Sequence, residues 1–439
     1  MPDRTTAAAT GRMGTPDDDL KRFSLPDWVR VHNDRRTEIF TCVCFLAAPV
    51  AGSVASIVVN VGSVGGVLEI GRRVIGFSRD RFMLYLAVPI YLYCFSYLFS
   101  LVANPAPQWR HVLPILPLLL FPFLYSSWCL SNKTTVARSA VAGSMIACYG
   151  ALALAIVQFH FLGIRAEGGA GNAIVFAMMT CMAASIALAG AFTKEGMAAV
   201  PLFAAYCAGS IAILYSGSRM TWVALFIATG VILWIYRRRR HAFSSALAVS
   251  CAGLAVAAVT FAGTQVIPSR VSALVQDWQQ LGSGEIPHTS LGRRTELWTI
   301  GLDAVQARPF AGTGAQSTKP LIRAGFDRIG SYASHSHFHN GFLNAWVEAG
   351  LLGMLSLAAI FVVAGTLAIR TLFARPPPSS EARLGAVILI AVVVTYVVNG
   401  LTGILVGHDI LDAMLMALLV VGSYLAGGTS LLKDTSSRS

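Results

Sequence analysis

Charge is scarce in this chain. Asp, Glu, Lys and Arg supply 12% of its 439 residues, against roughly 25% in an ordinary soluble domain. Hydrophobic residues reach 55% and the mean hydropathy is +0.64. That deficit excludes a soluble enzyme and a disordered chain, both of which need far more polar surface. Cysteine is missing from the polar stretches. Cys42, Cys44, Cys94, Cys129, Cys148, Cys181, Cys207 and Cys251 all fall in apolar segments, which excludes a disulfide framework. The Cys42–Cys44 pair has no second pair to complete a metal site and reads as core packing. Walker and dinucleotide motifs are missing, and so is any nucleic-acid-binding module. The net charge of +12 is therefore not assigned to a nucleic-acid partner.

Long apolar runs are what the chain has instead. A membrane span needs about 20 apolar residues. Candidates begin near Ile39, Phe82, Val112, Val136, Asn172, Met197, Met220, Phe243, Gly341, Leu384 and Asp409. The first run is of full span length, so it is not the short core of a cleavable signal. Lys21, Arg22, Arg30, Arg35 and Arg36, then Arg237 to Arg240, then Arg370, Arg375 and Arg383, mark cytoplasmic loops by the positive-inside rule. The basic stretch Arg72 to Arg81 obeys that rule only if a further short span, rich in Gly and Val, crosses at roughly 60–75. The expected fold is an all-α polytopic integral membrane protein with about twelve spans and both termini cytoplasmic. Its expected layout is a disordered tail at 1–37, about nine spans over 38–263, an outside loop at 264–340 between spans 9 and 10, three spans over 341–428 and a cytoplasmic tail at 429–439. No internal repeat is evident.

The loop at 264–340 is the longest polar segment, and loops of that length are usually functional. Val271, Leu274, Val275, Trp278 and Leu281 recur at helical spacing, as do Leu291, Leu297, Ile300, Ala304 and Ala307. Pro309 and the turn Gly312-Thr313-Gly314 end the second pattern. A helical cap over the bundle is expected. It closes on Ser334-His335-Ser336-His337-Phe338-His339-Asn340. Histidines at alternate positions line one side of an extended strand and could hold a metal, but no carboxylate or cysteine lies nearby to complete a shell, so no metal is assigned. In the helix that follows, Asn340, Asn344 and Glu348 form one polar stripe. Polar groups in a membrane helix face the bundle interior or a wet cavity. Simple interhelical hydrogen bonding is the plainer reading for Asn344, while Glu348 is a candidate for positioning partners.

Arginine is the second clue. Arg219, after Ser216-Gly217-Ser218, stands at a helix start on the outside face, against the helix dipole. Arg293 and Arg294, with Glu296, open the second cap helix. Snorkelling and a solvated face would explain them without function. Together they would also suit a diphosphate, which arginine grips in bidentate fashion, and a neutral histidine nearby could take a proton from a hydroxyl. His408 with Asp409 and Asp412 lies near the same face. It is assigned no chemistry, because a helix N-terminus favours carboxylates anyway.

His339-Asn340, nine residues, then Gly350-Leu351-Leu352-Gly353 resembles the central motif of the O-antigen ligase family. Gly217-Ser218-Arg219 is a second match, and Arg293-Arg294 followed by Trp298, Pro309, Gly312 and Gly314 is a third. The resemblance implies a GT-C-like glycosyltransferase of the bacterial inner membrane with its active site facing the periplasm. It implies transfer of O-antigen polysaccharide from undecaprenyl diphosphate to a sugar hydroxyl of lipid A–core. It further implies inversion, no cofactor and no metal. His339 would be the general base, with His337, Asn340 and Glu348 as alternatives or helpers. Arg219, Arg293 and Arg294 would bind the diphosphate, membrane grooves would hold the two lipid tails, and membrane lipids are expected partners. The rival readings are an O-antigen polymerase, a protein O-oligosaccharyltransferase on the same donor, and a secondary transporter. A transporter would show repeats and charged or broken helices at mid-membrane.

Overall fold

The computed structural model describes residues 27–71, 78, 80–104, 109–237, 272, 290–328 and 335–431. Every regular element among them is a helix. We number these α1 (Asp27–Ala51), α2 (Ser53–Gly71), α3 (Arg81–Ala103), α4 (His111–Cys129), α5 (Lys133–Phe161), α6 (Ala173–Ala191), α7 (Gly196–Ser216), α8 (Arg219–Ile235), α9 (Ser290–Ala307), α10 (Thr318–Arg328), α11 (Gly341–Leu372), α12 (Ser380–Gly400) and α13 (Asp409–Gly427). Eight of them, α3 to α7 and α11 to α13, are long and apolar enough to cross a membrane. Two shorter apolar helices lie at Ser53–Leu68 and Arg219–Ile235. The chain is a polytopic membrane protein.

Polar helix ends in this setting need caps, because lipid offers backbone N–H groups no partner. The sequence supplies them. Asp80, Asn132, Asn172, Asn340 and Ser379 each accept from the first turn of the helix they precede. Hydroxyls inside the spans are satisfied by the carbonyl one turn back, as at Ser63, Ser126, Thr180 and Ser185.

Two helices form the core. The apolar windows of α6 and α13 are 94% buried, whereas those of the other spans range from 39% to 56%. A helix apolar on every side is a buried one, and the small residues of α6 let α5, α7, α8 and α12 approach it closely. The other core helix, α13, is enclosed by α2, α4, α11 and α12.

Several expectations shift. Helix α1 begins at Asp27, so the tail boundary at 37 falls inside a helix. The short span expected at roughly 60–75 is a helix starting at Ser53, because Gly52 (φ 55°) rather than hydropathy ends α1. The amphipathic pattern near Val271 and the span near Phe243 lie outside the described residues. Helix α9 matches the second cap pattern. Helix α10 has no counterpart among the expected elements.

Candidate active site

The cap is joined to the bundle at a break in α11. Gly350 has φ 71° and ψ −178°, so the helix opens there. Its freed backbone groups are taken up from two sides. Ser100 and Ser96 of α3 donate to the carbonyls of Glu348 (2.6 Å) and Ala349 (2.5 Å). From the cap, Thr313 N–H donates to the Val347 carbonyl at 2.7 Å, and the Pro309 carbonyl accepts from Leu351 N–H at 2.9 Å and Trp346 Nε1 at 3.0 Å. A Cβ on Gly350 would stand 1.9 Å from the Phe310 carbonyl oxygen, and one on Gly312 2.7 Å from the Gly350 nitrogen. Backbone meets backbone here, and only glycine fits. The motif glycines at 312 and 350 are thus the two halves of one joint.

Glu348 sits beside this joint and clamps it. It accepts from Thr318 Oγ1 at 2.6 Å, from the backbone of Gln316 and Thr318, and from the Asn344 side chain. Asn340 is the helix cap, accepting from Phe342 and Leu343 N–H at 3.1 Å. Of the polar stripe, then, Asn340 serves as the helix cap, whereas Asn344 and Glu348 line a cavity.

The three histidines come together, though not as one side of a strand. Phe338, fully buried among Leu297, Val305, Ile322 and Phe326, pins the loop to the cap. His339 then turns into the left-handed region (φ 51°), a strained position of the kind functional sites concentrate. The ring of His339 lies 4.4 Å from that of His337 and 5.2 Å from that of His335, and its Nε2 is 3.4 Å from His335 Nδ1. Burial lowers the pKa of both His337 and His339 to about 4. For His337 the positive charges of His335 and His408 add to the effect. For His339 the additions are His337, Arg294 and His335, opposed by the Thr402 backbone. His335 is lowered by burial and by Arg293. At neutral pH all three rings are uncharged and able to accept a proton.

The same interactions locate the arginines. Arg293, exposed, and Arg294, half-buried, stand in the first turns of α9 beside the histidine loop. Arg219 opens α8. Its Nη1 is buried with no hydrogen-bond partner among the described residues. It reaches the loop through a chain of contacts rather than directly. Ser218 shares a hydrogen bond with Thr221 (2.9 Å), Thr221 donates to Asn399 (2.7 Å), and Thr402 N–H donates to the Asn399 carbonyl (3.1 Å). Arg165 Nε, donating to the Ser216 carbonyl at 2.9 Å, adds a second guanidinium to that corner.

Below the loop lies a cavity of about 300 Å³. His337 and Ser336 line it, together with Tyr93, Tyr97, Asn172, Gln316, Lys319 and His408. His339 is not among the lining residues. Lys319, Gln316 and Asn172 are absent from the sequence-derived site. Lys319 belongs to the unforeseen α10, and Asn172 reads locally as a cap. Asp412 accepts from Gly407 N–H at 2.9 Å, and Asp409 from Ser53 Oγ at 3.1 Å, so both carboxylates have structural partners.

A bundle of membrane helices, one end of it capped by helices α9 and α10, with arginines beside a neutral histidine cluster, defines a polytopic membrane protein with its candidate site at one end of the bundle. Residues 202–358 match the O-antigen ligase family model (Wzy_C). That segment contains Arg219, Arg293, Arg294, the histidine loop and Gly350, so the resemblance carried by those motifs holds. Two curated proteins are similar over shorter stretches. An uncharacterized protein of Haemophilus influenzae (strain ATCC 51907 / DSM 11121 / KW20 / Rd) is 26% identical over 152 residues, covering 34% of this chain and 38% of that protein. The exopolysaccharide production protein ExoQ of Rhizobium meliloti (strain 1021) is 37% identical over 82 residues, 17% of this chain and 19% of that protein. The matches therefore span well under half the length of either relative.

Proposed function

We propose that this protein is an O-antigen ligase. It transfers O-antigen polysaccharide from undecaprenyl diphosphate to a sugar hydroxyl of lipid A–core at the periplasmic face of the bacterial inner membrane. In this reading the chain has twelve spans with both termini cytoplasmic, a periplasmic loop at 264–340 between spans 9 and 10, and a GT-C-like architecture. The observation that carries it is the meeting of Arg293 and Arg294 with the neutral histidine loop above a polar cavity, all inside the segment that matches the O-antigen ligase family.

The chemistry follows from the groups. A sugar hydroxyl is a poor nucleophile until its proton has an acceptor. His339 takes that proton as the hydroxyl oxygen attacks the anomeric carbon, with His337, which lines the cavity, as the second candidate. The bond from that carbon to the diphosphate oxygen breaks on the opposite face, so the anomeric centre inverts. Charge grows on the leaving diphosphate, and Arg219, Arg293 and Arg294 stabilise it. A base with a pKa of about 4 is weak alone, but bound diphosphate adds negative charge beside it and raises its proton affinity. The free energy for transfer resides in the diphosphate linkage, so neither nucleotide nor metal is required. Helices hold both lipid tails in the bilayer plane, which supplies orientation.

The test is transfer in vitro with purified protein, lipid-linked O-antigen and lipid A–core in EDTA. Wild type yields ladder-form lipopolysaccharide, and His339→Ala, shown to be folded, loses about 10²–10⁴-fold in rate. Full activity in that variant moves the base to His337. Lengthening of lipid-linked glycan with no product on lipid A–core would make the protein a polymerase and overturn the acceptor.

A further inference from the structure

The floor of the cavity is the face of α11 that carries Asn344 and Glu348, one turn apart. The Glu348 carboxylate is committed to the cap, through Thr318 Oγ1 and the 316–318 backbone, and it also accepts from the Asn344 side chain. Asn344 therefore directs its donor at Glu348. Its Oδ1 is buried with no partner among the described residues, and the residue is only 6% exposed. A buried acceptor left unmet is costly, and native proteins rarely keep one without a reason. The residue that carries it lines the cavity.

The walls say what would meet it. Tyr97, Gln316 and Lys319 add an aromatic ring, an amide and an ammonium. Apolar side chains such as Ile115, Val175, Ile404 and Leu411 share the walls, but an acyl chain would leave the amide and the ammonium without partners. Among the described lining residues Lys319 is the one lysine or arginine, and the Glu348 carboxylate stands in the same cavity, while the arginines lie at the histidine loop and at α8, so a diphosphate is poorly served. About 300 Å³ is the low end of small-molecule pockets. A ring with several hydroxyls and one apolar face fits both the lining and the size. Resting on the transferase reading above, we propose that this cavity is a sugar subsite in which a hydroxyl of one sugar residue donates to Asn344 Oδ1, making Asn344 a specificity-determining residue for the glycan that enters. The sugar could come from the donor or from the acceptor.

Binding is measured directly, by calorimetry and saturation-transfer NMR, on the full-length protein in nanodiscs. The probes are delipidated core oligosaccharide and an O-antigen repeat unit released from its lipid. Asn344→Leu is compared with Ser100→Ala, which loosens the same turn of α11 from outside the cavity. The expected result is about a tenfold loss of affinity for one of the two saccharides in Asn344→Leu, as one lost hydrogen bond implies, with Ser100→Ala unchanged. The saccharide affected identifies the source. Equal binding by wild type and Asn344→Leu, equal losses in both variants, or no saccharide binding by wild type overturns the proposal. Asn344-dependent binding without any transfer activity leaves the subsite standing and refutes the ligase reading alone. Where Asn344→Leu fails to fold, Asn344→Ser carries the same comparison.

Discussion

The two ends of the bundle use their cations differently. At the end formed by the α4–α5 turn, the C-terminus of α8 and the α11–α12 turn, cations rest on aromatic rings of the protein itself. Lys133 stands 5.4 Å from the Tyr424 ring, Arg237 4.6 Å from Trp234 and Arg383 5.7 Å from Tyr236. These contacts anchor helix ends, and the protein alone completes them. At the capped end, Arg219 has a buried nitrogen with no hydrogen-bond partner among the described residues, and Arg293 and Arg294 stand beside rings held neutral. A cation matched by its own fold is part of the scaffold. A buried nitrogen of Arg219 without a partner among the described residues is free to meet an anion that arrives from outside.

The largest effects should separate the ends most sharply. Arg219→Gln is expected to lower kcat by about 10²–10³-fold, the cost of one preorganised group facing developing charge. Arg383→Gln should leave kcat unchanged and cost at most about 1 kcal/mol of stability. Initial rates of lipopolysaccharide formation with both variants decide the matter. Comparable losses at the two ends would show that the unmet nitrogen does not set Arg219 apart.

A smaller, structural contrast concerns glycine. Gly350→Ala would place a Cβ against the Phe310 carbonyl in a backbone conformation open to glycine alone. It should cost at least about 1–3 kcal/mol and release the cap, seen as a lower Tm and faster proteolysis within 290–328. Gly230→Ala, in α8, meets nothing within 4 Å and should be neutral or stabilising by about 0.5–1 kcal/mol. Close behind stands Thr318→Val. It removes a hydroxyl donated to a buried carboxylate and should cost about 1.5–3 kcal/mol, together with transfer activity, since Thr318 lines the cavity. At the opposite end, Asp80 caps α3 and accepts from Thr429 N–H. Asp80→Ala should cost a similar or smaller amount of stability, about 0.5–2 kcal/mol, seen as a lower Tm, without a specific effect on turnover.

What could be read from the chain follows the range of the forces involved. Apolar runs, the helix at 290–307 and the histidine loop are local patterns, and the spans α8 and α11 that carry Arg219, Asn344 and Glu348 stand where hydropathy put them. Asn340 was legible too: an Asn just before an apolar helix is a cap by a local rule, although the four-residue stripe drew it into the site. The joint of Gly312 with Gly350 was not legible, because it depends on backbone from two distant segments fitting one space. Neither was α10, a short polar helix with Pro320 in its first turn, which takes its place by packing Ile322 and Phe326 into the cap. Asn344 lies between these cases. Its position on a polar stripe is local, but its unmet oxygen follows only from the commitment of Glu348 to the cap.

The subtlest test of the contrast between the ends is pH. The folded-state pKa values of His337 and His339 are lowered to about 4 from about 6.5 in the unfolded chain. Between those values the unfolded chain binds more protons than the folded one, so folding stability rises with pH across that window and levels off above about 6.5. On acidification the loss begins near 6.5 and is complete below about 4. The Tm of the protein in nanodiscs should therefore fall between pH 7 and pH 4.5, and the double variant His337→Gln/His339→Gln should flatten that part of the profile. The aromatic-backed end holds no histidine among its described contacts, so Arg383→Gln should shift the whole curve without changing its slope. A slope that survives the double histidine variant would assign the acid sensitivity to carboxylates elsewhere. It would also show that burial does not hold His337 and His339 uncharged across that window.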